Sequence, residues 1–336
     1  MKNTLIPDPL IIAKRGSFAF GGAVVGRPDG HTLHGDHGYA QYNIPVGPKK
    51  HPLVFWHGLS QSAKTWETTP DGREGFDDIF LRRGFSVYLI DQPRRGRAAQ
   101  GTIGTMIPDA SSEEILPDAF YFNAFRLGTW APPEAPQYFP NVSFPSDRRS
   151  LEQFLRQVVP NTGLEGFDPL TRELQSNAAS ALFDEIGPAV LVTHSNGGQY
   201  GWRTAMKNGR VAAIVSYEPS TFAFPESDPP AAITYPPEAI ENEPDLVSDE
   251  QFSGLTKMPI QIVFGDNIRG DRGYEPYVER AEQFVAAINA RGGDAEVLHL
   301  PEAGLVGNTH FPFADSNNLQ VADLLSAWLA RKGLDH

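Results

Sequence analysis

The chain has 336 residues, of which 40% are hydrophobic, 11% aromatic and 21% charged, with a formal net charge of −13 and no cysteine. That apolar share supports a sizeable core, while the negative balance, with no Lys/Arg stripe interleaved with aromatics, excludes nucleic acid as a partner. Lack of cysteine removes disulfides, thiolate nucleophiles and thiolate metal ligands, and no apolar run reaches the roughly 20 residues of a membrane span.

Taken in chain order, the first segment, 1–22, carries Pro7 and Pro9 in its apolar part and no basic region before a continuous apolar stretch. It does not read as a signal peptide; a cytoplasmic location is the default expectation, with secretion or a periplasmic location open to a chain missing its signal. Alternating segments at 17–25 and 39–45, separated by the polar, Gly-containing stretch 27–38, predict an antiparallel hairpin with its turn in that stretch. Apolar, β-rich runs follow at 52–56, 86–90, 189–193, 212–217, 259–264 and 295–300, a pattern suited to strands buried on both faces. Helical patterns lie between them at 76–83, 199–208, 274–291 and 319–332.

This alternation predicts an α/β fold in one domain: a mostly parallel twisted sheet of about eight strands with helices on both faces. The Pro- and aromatic-rich block at about 99–177 interrupts the rhythm and reads as an inserted cap or lid.

Three sets of residues carry chemistry. Ala189-Val190-Leu191-Val192-Thr193-His194-Ser195-Asn196-Gly197-Gly198 runs from a buried strand into a helix, the setting of a nucleophile elbow, with Ser195 as nucleophile. Gly197 supplies one of the small neighbours such a turn needs, and Thr193 stands where a second glycine is usual. Upstream, Leu53-Val54-Phe55-Trp56-His57-Gly58-Leu59 ends a strand on a sharp turn. The amides of Leu59 and Asn196 are the candidate oxyanion donors. His57 reads as a structural histidine.

Downstream, His310 in Gly307-Asn308-Thr309-His310 lies between the last strand and the last helix, where a loop reaches the strand C-termini, and is the candidate base. His194 points away from its neighbour, and His299 falls inside a strand. Two carboxylates compete to orient His310: Asp266 after the penultimate strand, and Glu218 after the strand that follows the nucleophile helix. Both keep the order nucleophile, acid, base, and the residues themselves do not separate them.

The remaining clusters read more simply. His31, His34 and His37 lie in a polar turn with no helical face to converge them, so no metal and no cofactor is expected. Among the aromatics, Phe125 and Trp130 of the cap, with Trp66 and Phe222, are the candidates for an apolar substrate pocket.

Beyond these motifs, Trp66-Glu67-Thr68-Thr69-Pro70-Asp71-Gly72-Arg73, Ile90-Asp91-Gln92, Arg95-Gly96-Arg97, Ile214-Val215-Ser216 before Glu218-Pro219, Gly307-Asn308-Thr309-His310 and Asn317-Asn318-Leu319-Gln320-Val321-Ala322-Asp323-Leu324 extend the pattern over nearly the whole chain. With them the sequence resembles the α/β-hydrolase superfamily, and within it the bacterial esterase 713-like branch. The resemblance implies Glu218 as the triad acid, with Ser195, His310, Leu59 and Asn196 in the roles given above. It implies a carboxylic ester hydrolase working through an acyl-enzyme on a small-molecule ester, and it admits a homodimer. Lactone, amide or peroxy-acid chemistry on the same triad, or a non-catalytic ligand receptor on the same fold, are the alternatives. The branch's paired cysteines have no counterpart here, and the cap matches least.

Overall fold

A computed structural model describes residues 9–98, 116–158, 167–236, 242–268 and 273–336. The main sheet comprises β1 (Ile12–Gly26), β2 (Thr32–Pro45), β3 (Leu53–Trp56), β4 (Val87–Asp91), β5 (Ala189–His194), β6 (Val211–Tyr217), β7 (Pro259–Phe264) and β8 (Asp294–His299). They lie in the order β1-β2-β4-β3-β5-β6-β7-β8. β2 pairs antiparallel with both β1 and β4, and every other neighbouring pair is parallel.

Why the central strands are continuous apolar runs follows from their burial. Side chains alternate across a strand, so a strand covered on both faces needs an apolar residue at every position. Leu53, Phe55, Val190, Val192, Ala213 and Val215 face one core, which takes in α1 (Phe76–Arg82) and α8 (Asn318–Arg331). Val54, Trp56, Leu191, Ile214, Ile260 and Ile262 face the other, filled by α4 (Pro169–Ile186), α5 (Gly197–Lys207) and α7 (Glu275–Asn289). Each buried Val, Leu, Ile or Phe among them contributes about 1.5–3 kcal/mol on leaving water. Shorter helices complete the described chain: α2 (Asp118–Ala124), α3 (Arg148–Leu155) and α6 (Asp249–Ser253). No described helix is long and apolar enough to cross a membrane.

Central strands and helices lie within two residues of their sequence expectations. The opening hairpin differs. Its strands are longer than expected and its turn is confined to 27–31, closed by the Arg27 amide donating to the His31 carbonyl at 2.8 Å, with Gly30 at φ 84°. An edge ribbon tolerates polar residues such as His34 and Asp36 within its strands, so polarity alone overstates the turn.

The block expected as a cap divides. Residues 99–115 and 159–166 lie outside the described residues. α2 and α3 contribute Tyr121, Phe122 and Phe154 to the first core. α4, by contrast, packs on α5 and β1 as a sheet-covering helix, so a boundary at 177 falls inside a continuous helix. Its start is well specified: the Asp168 side chain caps the Thr171 amide at 3.0 Å, and Pro169 occupies the first turn, where no amide donor is needed.

Candidate active site

β5 passes directly into α5 through Ser195, whose backbone is left-handed at φ 49°. A non-glycine residue there stores about 1–2 kcal/mol of strain, so the surroundings must hold it. The Ser195 amide donates to the Tyr217 carbonyl at 2.8 Å, and its own carbonyl accepts from Gly198 at 2.9 Å. Thr193 fits in place of a glycine because α5 carries Gly201 opposite it: a Cβ at Gly201 would lie 2.9 Å from the Thr193 methyl carbon. The Thr193 hydroxyl is satisfied by Ser216 Oγ at 2.8 Å.

After β3, the chain comes up against Ser195. A Cβ at Gly58 would lie 2.9 Å from Ser195 Cβ, so only glycine allows the approach. Leu59, the next residue, is half-buried beside it. Asn196 stands immediately before α5 and is buried, its Nδ2 donating to Tyr200 Oη at 3.0 Å and its Oδ1 accepting from Gln199. Gln199 in turn accepts from Arg172 Nε at 2.7 Å, and Arg172 pairs with Asp245 at 3.1 Å. A buried ladder of side chains thus fixes the start of the helix.

The loop before α8 carries His310. It is shaped by Asp315, whose carboxylate accepts from the Thr309 amide at 2.7 Å and the Thr309 hydroxyl at 2.9 Å. Burial pushes the Asp315 carboxyl up to about 7 against those hydrogen bonds. His310 Nδ1 lies 3.3 Å from Glu218 Oε2. Its carbonyl accepts from His194 Nε2 at 2.9 Å, and the two imidazoles are 4.7 Å apart. His194 is therefore committed to the loop through that nitrogen, and burial followed by the nearby His310 holds its pKa well below the ordinary value. His57 is likewise buried and held down to about 4.

Of the two candidate acids, Glu218 is the one against the imidazole. Asp266 spends its oxygens on the Gly307 amide at 2.7 Å, the Asn267 amide at 2.6 Å and Asn141 Nδ2 at 3.2 Å, holding the histidine loop from outside. Glu218, at φ 54°, has Oε1 bound by the Gly265 amide at 2.5 Å and by Arg126 Nη2 at 2.6 Å. Burial pushes this carboxyl up, but the Arg126 charge and the hydrogen bonds from His310 and Arg126 outweigh it and bring it to about 2. His310 itself is lowered, first by burial, with Glu218 opposing.

Arg126 is the residue that sequence reading misses. It is a lone cation in Phe120-Tyr121-Phe122-Asn123-Ala124-Phe125-Arg126-Leu127, and a guanidinium among so many apolar neighbours demands a buried carboxylate. The aromatic candidates separate. Phe125 stacks on the His310 ring, with centroids 5.0 Å apart and planes 9° apart, and Tyr121 Oη reaches Ser60 Oγ at 3.5 Å. Trp130 packs against Phe122 and donates Nε1 to the Glu134 carbonyl. Trp66 and Phe222 are fully buried in core packing: Trp66 is sealed among Phe55, Phe76 and Phe313, and Phe222 lies between Trp202 and Phe284 in the other core. Aromatic size drew both residues into core packing, where the sheet covers them. Among the described residues no three His, Asp or Glu side chains converge as metal ligands would.

Residues 53–334 match the model of the alpha/beta hydrolase family. Over 321 residues the chain is 30% identical to a probable secreted lipase, phiG, of a fungal species (strain ATCC 74256), an alignment covering 88% of this chain and 86% of the relative. The solved structure of a novel bacterial esterase is 32% identical, with a TM-score of 0.76 over 96% of this chain and 97% of that one.

Proposed function

The chain belongs to the alpha/beta hydrolase family, as a hydrolase of the esterase and lipase type, and from that premise we propose that it cleaves small carboxylic esters through an acyl-enzyme on Ser195. Ser195 Oγ attacks the ester carbonyl while His310 Nε2 takes its proton. Nδ1–H of the same ring donates to Glu218, which fixes the tautomer and stabilises the imidazolium that forms. The Leu59 and Asn196 amides receive the charge developing on the carbonyl oxygen, with the α5 N-terminus behind them. His310 then protonates the departing alcohol, and water repeats the sequence to release the acid.

The observation that carries this reading is the 3.3 Å contact between His310 Nδ1 and Glu218 Oε2, in a chain whose Ser195 is held left-handed at a strand-to-helix turn. The likeness to a bacterial esterase and to a probable secreted lipase supports the choice of an ester over an amide. Turnover of p-nitrophenyl esters by Ser195→Ala is the test: a loss on the order of 10⁴-fold or more is expected, together with loss of covalent labelling by an organophosphonate. Wild-type turnover in that variant would sink the proposal.

A further inference from the structure

We propose, resting on the triad reading above, that Arg126 is a positioning residue for the acid–base pair: it fixes the Glu218 carboxylate and through it sets the orientation and basicity of His310. The two carboxylate oxygens divide their work. Oε1 is occupied by Arg126 Nη2 at 2.6 Å and the Gly265 amide at 2.5 Å, which leaves Oε2 to face the imidazole and blocks rotation of the group. Arg126 is itself clamped. Its Nε donates to the Asp266 carbonyl at 2.9 Å, and its guanidinium carbon lies 4.2 Å from the centroid of the Tyr274 ring.

The preceding residue acts on the base directly. The Phe125 carbonyl accepts from the His310 amide at 3.1 Å while its ring stacks on the imidazole. Phe125 and Arg126 therefore touch both partners from the segment between β4 and β5, which belongs to neither of the loops that carry them. Arg126 and Glu218 are 1% and 0% exposed, so water screens neither charge, and their effect on the ring is undiluted.

Among the described residues, the charged or titratable groups around the imidazole are Glu218, Arg126, His194 and Tyr274, with Asp315 under the same loop. Glu218 favours the protonated ring and Arg126 opposes it. Removing the guanidinium leaves the carboxylate unneutralised, so the imidazolium persists to higher pH and the acid limb of kcat/KM moves up.

The test compares wild type, Arg126→Met and Arg126→Lys on p-nitrophenyl acetate across pH, with rates normalised to sites counted by phosphonate titration. Arg126→Met is expected to raise the acid limb by about one pH unit and to lower kcat roughly 100-fold with KM little changed. Arg126→Lys should return the limb to the wild-type position. It should restore only part of kcat, because an ammonium cannot serve Glu218 and the Asp266 carbonyl with one planar fork. Should Arg126→Met fail to fold, Arg126→Gln, which keeps a donor without the charge, must show the same displacement. A limb that stays at the wild-type position in the neutral variants overturns the assignment, whatever the rate. Ser195→Ala, assayed alongside, separates the two readings: an inactive Ser195→Ala with an unmoved limb discards only Arg126, whereas an active Ser195→Ala discards the triad.

Discussion

Ser195 takes its position from the short stretch between Thr193 and Gly201, with one carbonyl from Tyr217 and the approach of Gly58 as outside help. The His310–Glu218 end is assembled from afar: Arg126 and Glu218 are 92 residues apart, as are Glu218 and His310, and Gly265 joins from a fourth segment. The first half of the site is held by shape and backbone strain, the second by charge in a dry interior. The two halves should accordingly fail in different ways, the first through ångström-scale misplacement and the second through an unpaired charge.

With Ser195 itself left in place, the largest effect expected lies at the charged end. Glu218→Gln should lower kcat by on the order of 10⁴-fold, as loss of the orienting acid does in other triads, whereas Asp266→Asn should cost no more than about tenfold. Equal losses would erase the distinction between the acids. The same substitution strands Arg126 and should cost about 3 kcal/mol of stability at pH 7. Since Glu218 titrates at about 2 in the fold against 4.5 unperturbed, its stabilisation is present above 4.5 and is lost as pH falls through 2. Denaturant unfolding of wild type and variant should therefore differ at pH 7 and converge near pH 2.

At the shape-held end, Gly58→Ala places a methyl against Ser195 Cβ and should lower kcat about 100-fold without moving the acid limb. A displaced limb would mean that the two halves are not independent. The smallest effect is expected at Phe222: Phe222→Leu, deep in the α5/α7 core, should cost about 1 kcal/mol of stability and leave kcat/KM within about twofold.

The same contrast explains what the sequence discloses. Strands β3, β5, β6 and β7 are legible because burial on both faces demands unbroken apolar runs, and the elbow is legible because its parts are contiguous. Even there, the fit of Thr193 depends on Gly201, a compensation visible only once α5 is wound. Glu218 and Asp266 each sit just beyond a strand end, and nothing in one dimension says that Gly307 and Asn141 engage one while His310 meets the other. Arg126 is hidden for the same reason, although its isolation among aromatics is a signal that can be used elsewhere. Trp66 and Phe222 mislead because bulk and aromaticity do not reveal which surface of the sheet a ring will cover.

The ion pair of Arg126 with Glu218 also bears on how a substrate can enter. Swinging the Phe125–Arg126 stretch outward would expose His310, but it would leave a bare carboxylate in the interior, at a penalty of about 3–5 kcal/mol. An excursion of that size is populated less than about once in a hundred molecules. A route to His310 that lifts the Phe125–Arg126 stretch is therefore disfavoured by the ion pair itself.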